Sequence, residues 1–138
     1  MTATEPGQPD DPQEWLRRAR SNLTRARARL PNVYLEDLCF DAQQAAEKAV
    51  KAVYLALAMR PPRTHNLGVL LLGVEELGVE VPNDLRAVAS LTQYAVIARY
   101  PSPRGPVSDE EHRQAVSLAE AMLAWAERTV GDMPAQNG

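Results

Sequence analysis

Arg60, Arg63 and His65 fall within one short stretch, Arg60-Pro-Pro-Arg-Thr-His65-Asn66-Leu67, whose two prolines forbid a helix. Guanidinium forks and an imidazole in such proximity are groups suited to a phosphate, the arginines by bidentate bonding and the histidine by bonding or by moving a proton. His65 also stands just ahead of an expected helix, where unsatisfied backbone N–H groups and the helix dipole favour an anion. The competing reading is that His65 bonds a neighbouring carbonyl or carboxylate and pins the loop. A second candidate is Arg99, followed by Tyr100 and Pro101. At the C-terminal end of a helix it would either cap the last carbonyls or join the first group. The third is a narrow polar stripe of Gln43, Gln44, Glu47, Lys48 and Lys51 in a segment otherwise dominated by alanine and valine. Glu47 precedes Lys51 by four residues, the favourable order for an ion pair on a helix. Lys48 and Lys51 would meet a phosphate as mobile point charges.

Other chemistries find little in the chain. His65 and His112 are far apart in sequence, and neither stands in a His/Cys cluster or a Glu-x-x-His pair, so no metal or cofactor is expected. The seven glycines are scattered and form no phosphate-cradling loop. No serine nucleophile elbow is present. The single cysteine, Cys39, excludes an internal disulfide and reads as a small buried hydrophobe. Trp15, Phe40, Tyr54, Tyr94 and Trp125 read as core or interface aromatics.

The elements that must position these groups are helical. Residues 41–58 carry Ala42, Ala45, Ala46, Ala49, Val50, Val53 and Leu57 at steps of three and four, which predicts a central, largely buried helix that neighbours can approach closely. It belongs to a second helix spanning roughly 36–58, ended by Pro61 and Pro62. The first is expected over 12–30, with Trp15, Leu16, Ala19, Leu23, Ala26 and Leu30 inward and Pro12 in its first turn. The third, 66–78, has Thr64 or Asn66 as its cap, Leu67, Leu70, Leu71, Val74 and Leu77 on one face, and Gly78 as its stop. The fourth, 84–98, turns Leu85, Val88, Ala89, Thr92, Ala95 and Val96 inward and runs into a stiff proline-rich loop, 100–106. Ser108 to Glu111 reads as a capping box opening the fifth, 108–130. No segment alternates like a strand and no repeat is visible. The expected fold is all-α, an up-and-down four-helix bundle with an additional helix, over residues 12–131, with disordered tails at 1–11 and 132–138.

A chain of 138 residues supports one core of this size without disulfides. The net charge of −3 makes it no general polyanion binder, yet the charge is unevenly spread. The first helix holds Arg17, Arg18, Arg20, Arg25, Arg27 and Arg29 against Glu14, whereas acids outnumber bases in the last. Such polarity would orient a partner or solvate two faces. No apolar run is long enough for a membrane span and no secretory leader is visible, so the cytoplasm is expected.

W-L-x-x-A-x-x-x-L at 15–23, A-Q-Q-A-A-E-K-A-V-K-A at 42–52, T-H-N-L at 64–67 and R-Y-P at 99–101 together resemble the HEPN family, the nucleotide-binding helical domain of prokaryotes and higher eukaryotes. The resemblance implies a helical bundle, a homodimer, and in many members a minimal nucleotidyltransferase partner within a toxin–antitoxin or defence-type module. It also implies binding of a nucleotide or RNA phosphate, for which Lys48, Lys51, Arg63, His65 and Arg99 are the candidates, with Glu47 in support. Family nucleases place an Arg and a His with four to six residues between them and cleave RNA without a metal, by attack of a 2′-hydroxyl on the adjacent phosphate. Arg60 and His65 have that spacing and are the catalytic candidates if this chain is an endoribonuclease. A non-catalytic dimerisation or interaction module is the remaining alternative, with the polar stripe setting the register of the dimer.

Overall fold

The computed structural model describes residues 10–97 and 105–134. Their order is α1 (Pro12–Arg27), α2 (Leu35–Ala56), α3 (Leu67–Glu76), a 3-10 segment (Asn83–Gln93), α4 (Tyr94–Ile97) and α5 (Asp109–Asp132). The fold is all-α, and the described residues contain no strand. The expected tails at 1–11 and 132–138 lie largely outside the described residues, as does most of the proline-rich loop. Asp11, however, caps α1 by accepting from the backbone N–H of Gln13. Among the described residues no helix is long and apolar enough to cross a membrane.

α2 is the axis of the bundle and touches every other element. Its alanines explain how. Ala42, Ala45, Ala46, Ala49 and Ala52 are wholly buried, and with no side chain beyond Cβ they let α1 and α5 lie close on two flanks. Cys39 is buried in the same core, as its neighbours in sequence predict. Two nested hydrogen bonds close α2: Met59 N–H donates to Tyr54 O and Ala58 N–H to Leu55 O, both at 2.9 Å. This ending demands a left-handed residue, and Ala58 supplies it at φ 59° against the steric preference of an L side chain. α3 ends in the same way, with Gly78 at φ 93° doing without that strain.

The fourth element departs from expectation in kind. Instead of one α-helix over 84–98, a 3-10 helix of eleven residues leads into a single α turn. The physical reason lies in the spacing of its large apolar side chains. Leu85, Val88, Leu91 and Tyr94 are all buried, and they recur at steps of three. At about 3.0 residues per turn such a row stays in line, whereas at about 3.6 it winds away from the core by roughly 60° per step. Val96 falls off the row and is 63% exposed, which corrects its assignment to the inner face. Leu30 is corrected likewise: α1 stops at Arg27, and Leu30 stands 62% exposed in the connection to α2.

The uneven charge finds its partner inside the molecule. Arg20 pairs with Glu127 and Arg29 with Asp109, each at 2.8 Å, and Arg27 pairs with Glu120, so α5 neutralises α1 and the turn that follows it. Arg17 and Arg18 bond Glu14, and Arg25 bonds Asp41. The α1–α5 pairs are exposed and contribute at most about 1 kcal/mol each. Their consequence is electrostatic: the arginine-rich helix offers far less free charge than its sequence suggests.

Candidate functional site

Gln43, Glu47 and Lys51 follow one another at steps of four along α2 and therefore lie along one face of it. The Glu47 carboxylate is buried and accepts three hydrogen bonds. Gln43 Nε2 reaches Oε1 at 2.8 Å, Lys51 Nζ reaches Oε2 at 2.9 Å, and His65 Nδ1 reaches Oε1 at 2.8 Å. Burial pushes the Glu47 pKa up, but the bonds from Lys51, His65 and Gln43 and the Lys51 charge outweigh it and hold the carboxyl below its ordinary range. An ionised carboxylate has no proton to donate, so Nδ1 of His65 carries one. The imidazole is thereby fixed in tautomer and orientation. Nε2 is the nitrogen left to accept or release a proton, on a side chain that is 59% exposed.

The loop that delivers His65 is shaped by its own short-range bonds. Thr64 N–H donates to Pro62 O, and Thr64 Oγ1 accepts from Asn66 N–H, both at 3.0 Å. Of the two possible caps, Asn66 is the one used, accepting from Val69 N–H at 3.1 Å. Leu67 N–H donates to Thr92 Oγ1, which ties the start of α3 to the 3-10 segment. With these first-turn amides engaged, an anion beside His65 would meet imidazole and arginine in the main. Arg60 and Arg63 are exposed on this loop, and among the described residues neither has a hydrogen-bond or ion-pair partner.

Of the sequence candidates, then, Glu47, Lys51 and His65 converge on one point. Both sequence readings of His65 are compatible with this geometry, since the carboxylate that pins the loop is also what orients the ring. Lys51 has its ammonium committed to Glu47, with a side chain only 13% exposed, and so positions the carboxylate. Lys48 turns to the neighbouring face of α2 and bonds Asn22 Oδ1 of α1 at 2.7 Å. Arg99 lies outside the described residues.

Sequence reasoning missed two members of this polar network, Asn22 and Asp41, and gave Gln43 of the stripe no partner. Gln43 is fully buried and bridges Glu47 to Gln44. Asn22 and Asp41, both buried, bond one another at 3.0 Å between α1 and α2. Asn22 was detectable as a polar residue beside Leu23 within the inward stripe of α1. His112, by contrast, is buried in the core with Nε2–H donating to Ala26 O at 2.7 Å, which gives it a structural role at the end of α1.

A family model for the HEPN domain matches residues 12–129. The crystal structure of TT1696 from Thermus thermophilus is similar with a TM-score of 0.78 and 35% identity, over 87% of this chain and 98% of that one. The crystal structure of ST0689, an archaeal HEPN homologue, has a TM-score of 0.70 and 25% identity, over 86% of this chain and 97% of that one. Among curated proteins none matches. The family match runs from the first helix nearly to the end of the last, and a solved structure agrees in both sequence and shape across the same span, so this chain belongs to the HEPN domain family.

Proposed function

We propose that this protein binds the phosphate of a nucleotide or of RNA at His65, acting with a nucleotidyltransferase partner in a toxin–antitoxin or defence-type module. The observation that carries this reading is the buried Glu47 carboxylate holding the His65 ring by Nδ1, at 2.8 Å, while the rest of the ring faces solvent. A histidine used only to pin a loop does not require a carboxylate braced in turn by Lys51 and Gln43. Arg60 and Arg63, unpaired among the described residues on the same loop, supply guanidinium donors for the anion, and Arg99 is the further candidate. A homodimer belongs to the same reading. It is supported by the outer face of α3, where Val69 and Leu72 are 47% and 57% exposed on a helix with no charged residue before Glu75. A monomer mass by light scattering would remove the dimer from it. The transferase partner rests on family membership, and failure of such a transferase to co-purify with this chain would count against it.

The freed Nε2 also favours a second reading, a metal-independent endoribonuclease. There Nε2 would take the proton of a 2′-hydroxyl as that oxygen bonds phosphorus, the P–O5′ bond would break with the 5′-oxygen taking a proton from water, and Arg60 would steady the phosphate charge. One variant tests both readings. Calorimetry with ATP or GTP is expected to give saturable heat that His65→Ala weakens about tenfold or more. Cleavage of single-stranded RNA in EDTA, lost in the same variant, would select the nuclease. No heat at millimolar nucleotide and no cleavage would leave a pure interaction module.

A further inference from the structure

Lys48 stands apart among the cations between positions 17 and 51. Each of the six arginines at 17–29 has a carboxylate partner, and Lys51 has Glu47. Lys48 is half-buried, yet among the described residues its hydrogen-bond partner is the neutral amide of Asn22. A lysine ammonium has three protons to donate, so two are left for another acceptor. The surroundings oppose the charge it carries. Burial, then repulsion from Arg18 and Arg25, lowers its pKa, and the attraction of Glu47 and Asp41 does not make up the difference. A partly desolvated cation without a bonded counter-ion is costly, and a bound anion is what relieves it.

The helix register says where that anion would sit. Arg18, Asn22 and Arg25 share one face of α1 at steps of four and three, so the two arginines are placed one turn either side of the residue whose amide Lys48 bonds. Both arginine side chains are mostly exposed, 63% and 68%, and neither needs its carboxylate to be given up in order to turn a second N–H outward. The seam is continuous with the His65 site. Gln44, Lys48 and Lys51 are half-buried neighbours at steps of three and four on α2, and Lys51 bonds Glu47, the carboxylate that holds His65. Two cationic centres joined by one polar strip suit a ligand whose negative charge repeats along its length.

We propose that the α1–α2 seam at Lys48, flanked by Arg18 and Arg25, is a second anion subsite, taking one backbone phosphate of a single-stranded RNA while another phosphate of that strand lies at His65. This rests on the phosphate-binding reading of His65 and narrows its ligand from a nucleotide to a polynucleotide. Single-strand binding of this kind is dominated by phosphate contacts and depends strongly on salt.

The test compares ATP, followed by calorimetry, with a labelled twelve-residue oligouridylate, followed by fluorescence anisotropy across a salt series. Lys48→Met is expected to weaken the oligonucleotide about tenfold and to lower the salt slope by about 0.7, the value of one phosphate on a single strand, with ATP binding within about twofold of the original. Arg18→Ala, a surface change that threatens no core contact, is expected to act in the same selective way more weakly. Lys48→Arg is expected to retain most of the affinity. An unchanged slope in both Lys48→Met and Arg18→Ala overturns the second subsite, as does equal weakening of ATP and oligonucleotide. If neither the ATP heat nor the oligonucleotide affinity responds to His65→Ala, the reading of His65 falls first and the subsite falls with it.

Discussion

Glu47→Ala is expected to lower the unfolding free energy by about 2–4 kcal/mol at pH 7, measured by urea titration, and to abolish nucleotide binding at His65. Breaking a buried ion pair by removing one partner costs about 3–5 kcal/mol, because the other charge is left uncompensated. Here Lys51 keeps 13% of its side chain in contact with water and His65 considerably more, which reduces the figure. Gln43, fully buried, would lose the acceptor for its Nε2 and adds to the loss. Glu47→Gln isolates the charge. The folded-state pKa of Glu47 lies below its ordinary value of 4.5, so the carboxylate contributes its full stability above that value and loses it as pH falls through the lower, folded one. The stability gap between the original protein and Glu47→Gln is therefore expected to hold from pH 7 to about 4.5 and to close on further acidification. A gap that stays constant down to about pH 3, or an alanine variant within about 0.5 kcal/mol of the original, would refute the bracing role assigned to the carboxylate.

The helical segments were legible because alanine and leucine spacing and the cap residues all pointed the same way. The capping box of Ser108 and Glu111 forms as read, and so does the Glu47–Lys51 pair. What the pattern concealed was the period of the fourth element. Leu85, Val88 and Leu91 fit both an α and a 3-10 reading over two turns, and only the addition of Tyr94 to the row makes steps of three the better fit. Ala89 and Ala95, small enough to sit on either side, blurred the distinction.

The site was legible in its parts and illegible in its pairings. A polar stripe on a buried helix and a histidine in a proline-rich loop each stood out, but nothing local tells which stripe residue a loop eighteen positions later will meet. That meeting depends on how far the 57–66 connection folds back along α2, which its proline stiffness and the Asn66 cap decide jointly. The divergence of Lys48 from Lys51 follows from geometry alone, since residues three apart on a helix differ by about 60° in direction. With α1 packed along one side of α2, that angle is enough to give the two lysines different partners. Arg20, Arg27 and Arg29 misled for the complementary reason: their carboxylate partners on α5 are distant in sequence.

Gly73→Ala is expected to destabilise the protein by about 1–3 kcal/mol and to weaken ligand binding at His65, although alanine is the better helix former by about 1 kcal/mol. A Cβ at position 73 would overlap the Tyr54 hydroxyl and stand 3.1 Å from Cζ, a clash that no packed pair tolerates. Tyr54 cannot swing aside cheaply. It is 3% exposed, and its hydroxyl donates to Leu70 O at 2.7 Å, locking α2 to α3. The accommodation must come from α3, whose first turn follows His65 directly, so a shift that opens the α2–α3 contact also loosens the hold of Glu47 on the imidazole. Tyr54→Phe separates the causes, since it removes the closest atom and leaves only the 3.1 Å and longer contacts. Alone it should cost about 1 kcal/mol for the buried hydrogen bond. Combined with Gly73→Ala it should cost less than the two separate losses added together, by about 1 kcal/mol or more in thermal or urea unfolding. Simple additivity would mean that the hydroxyl is not what forces glycine at this position, and the packing account of Gly73 would have to be abandoned.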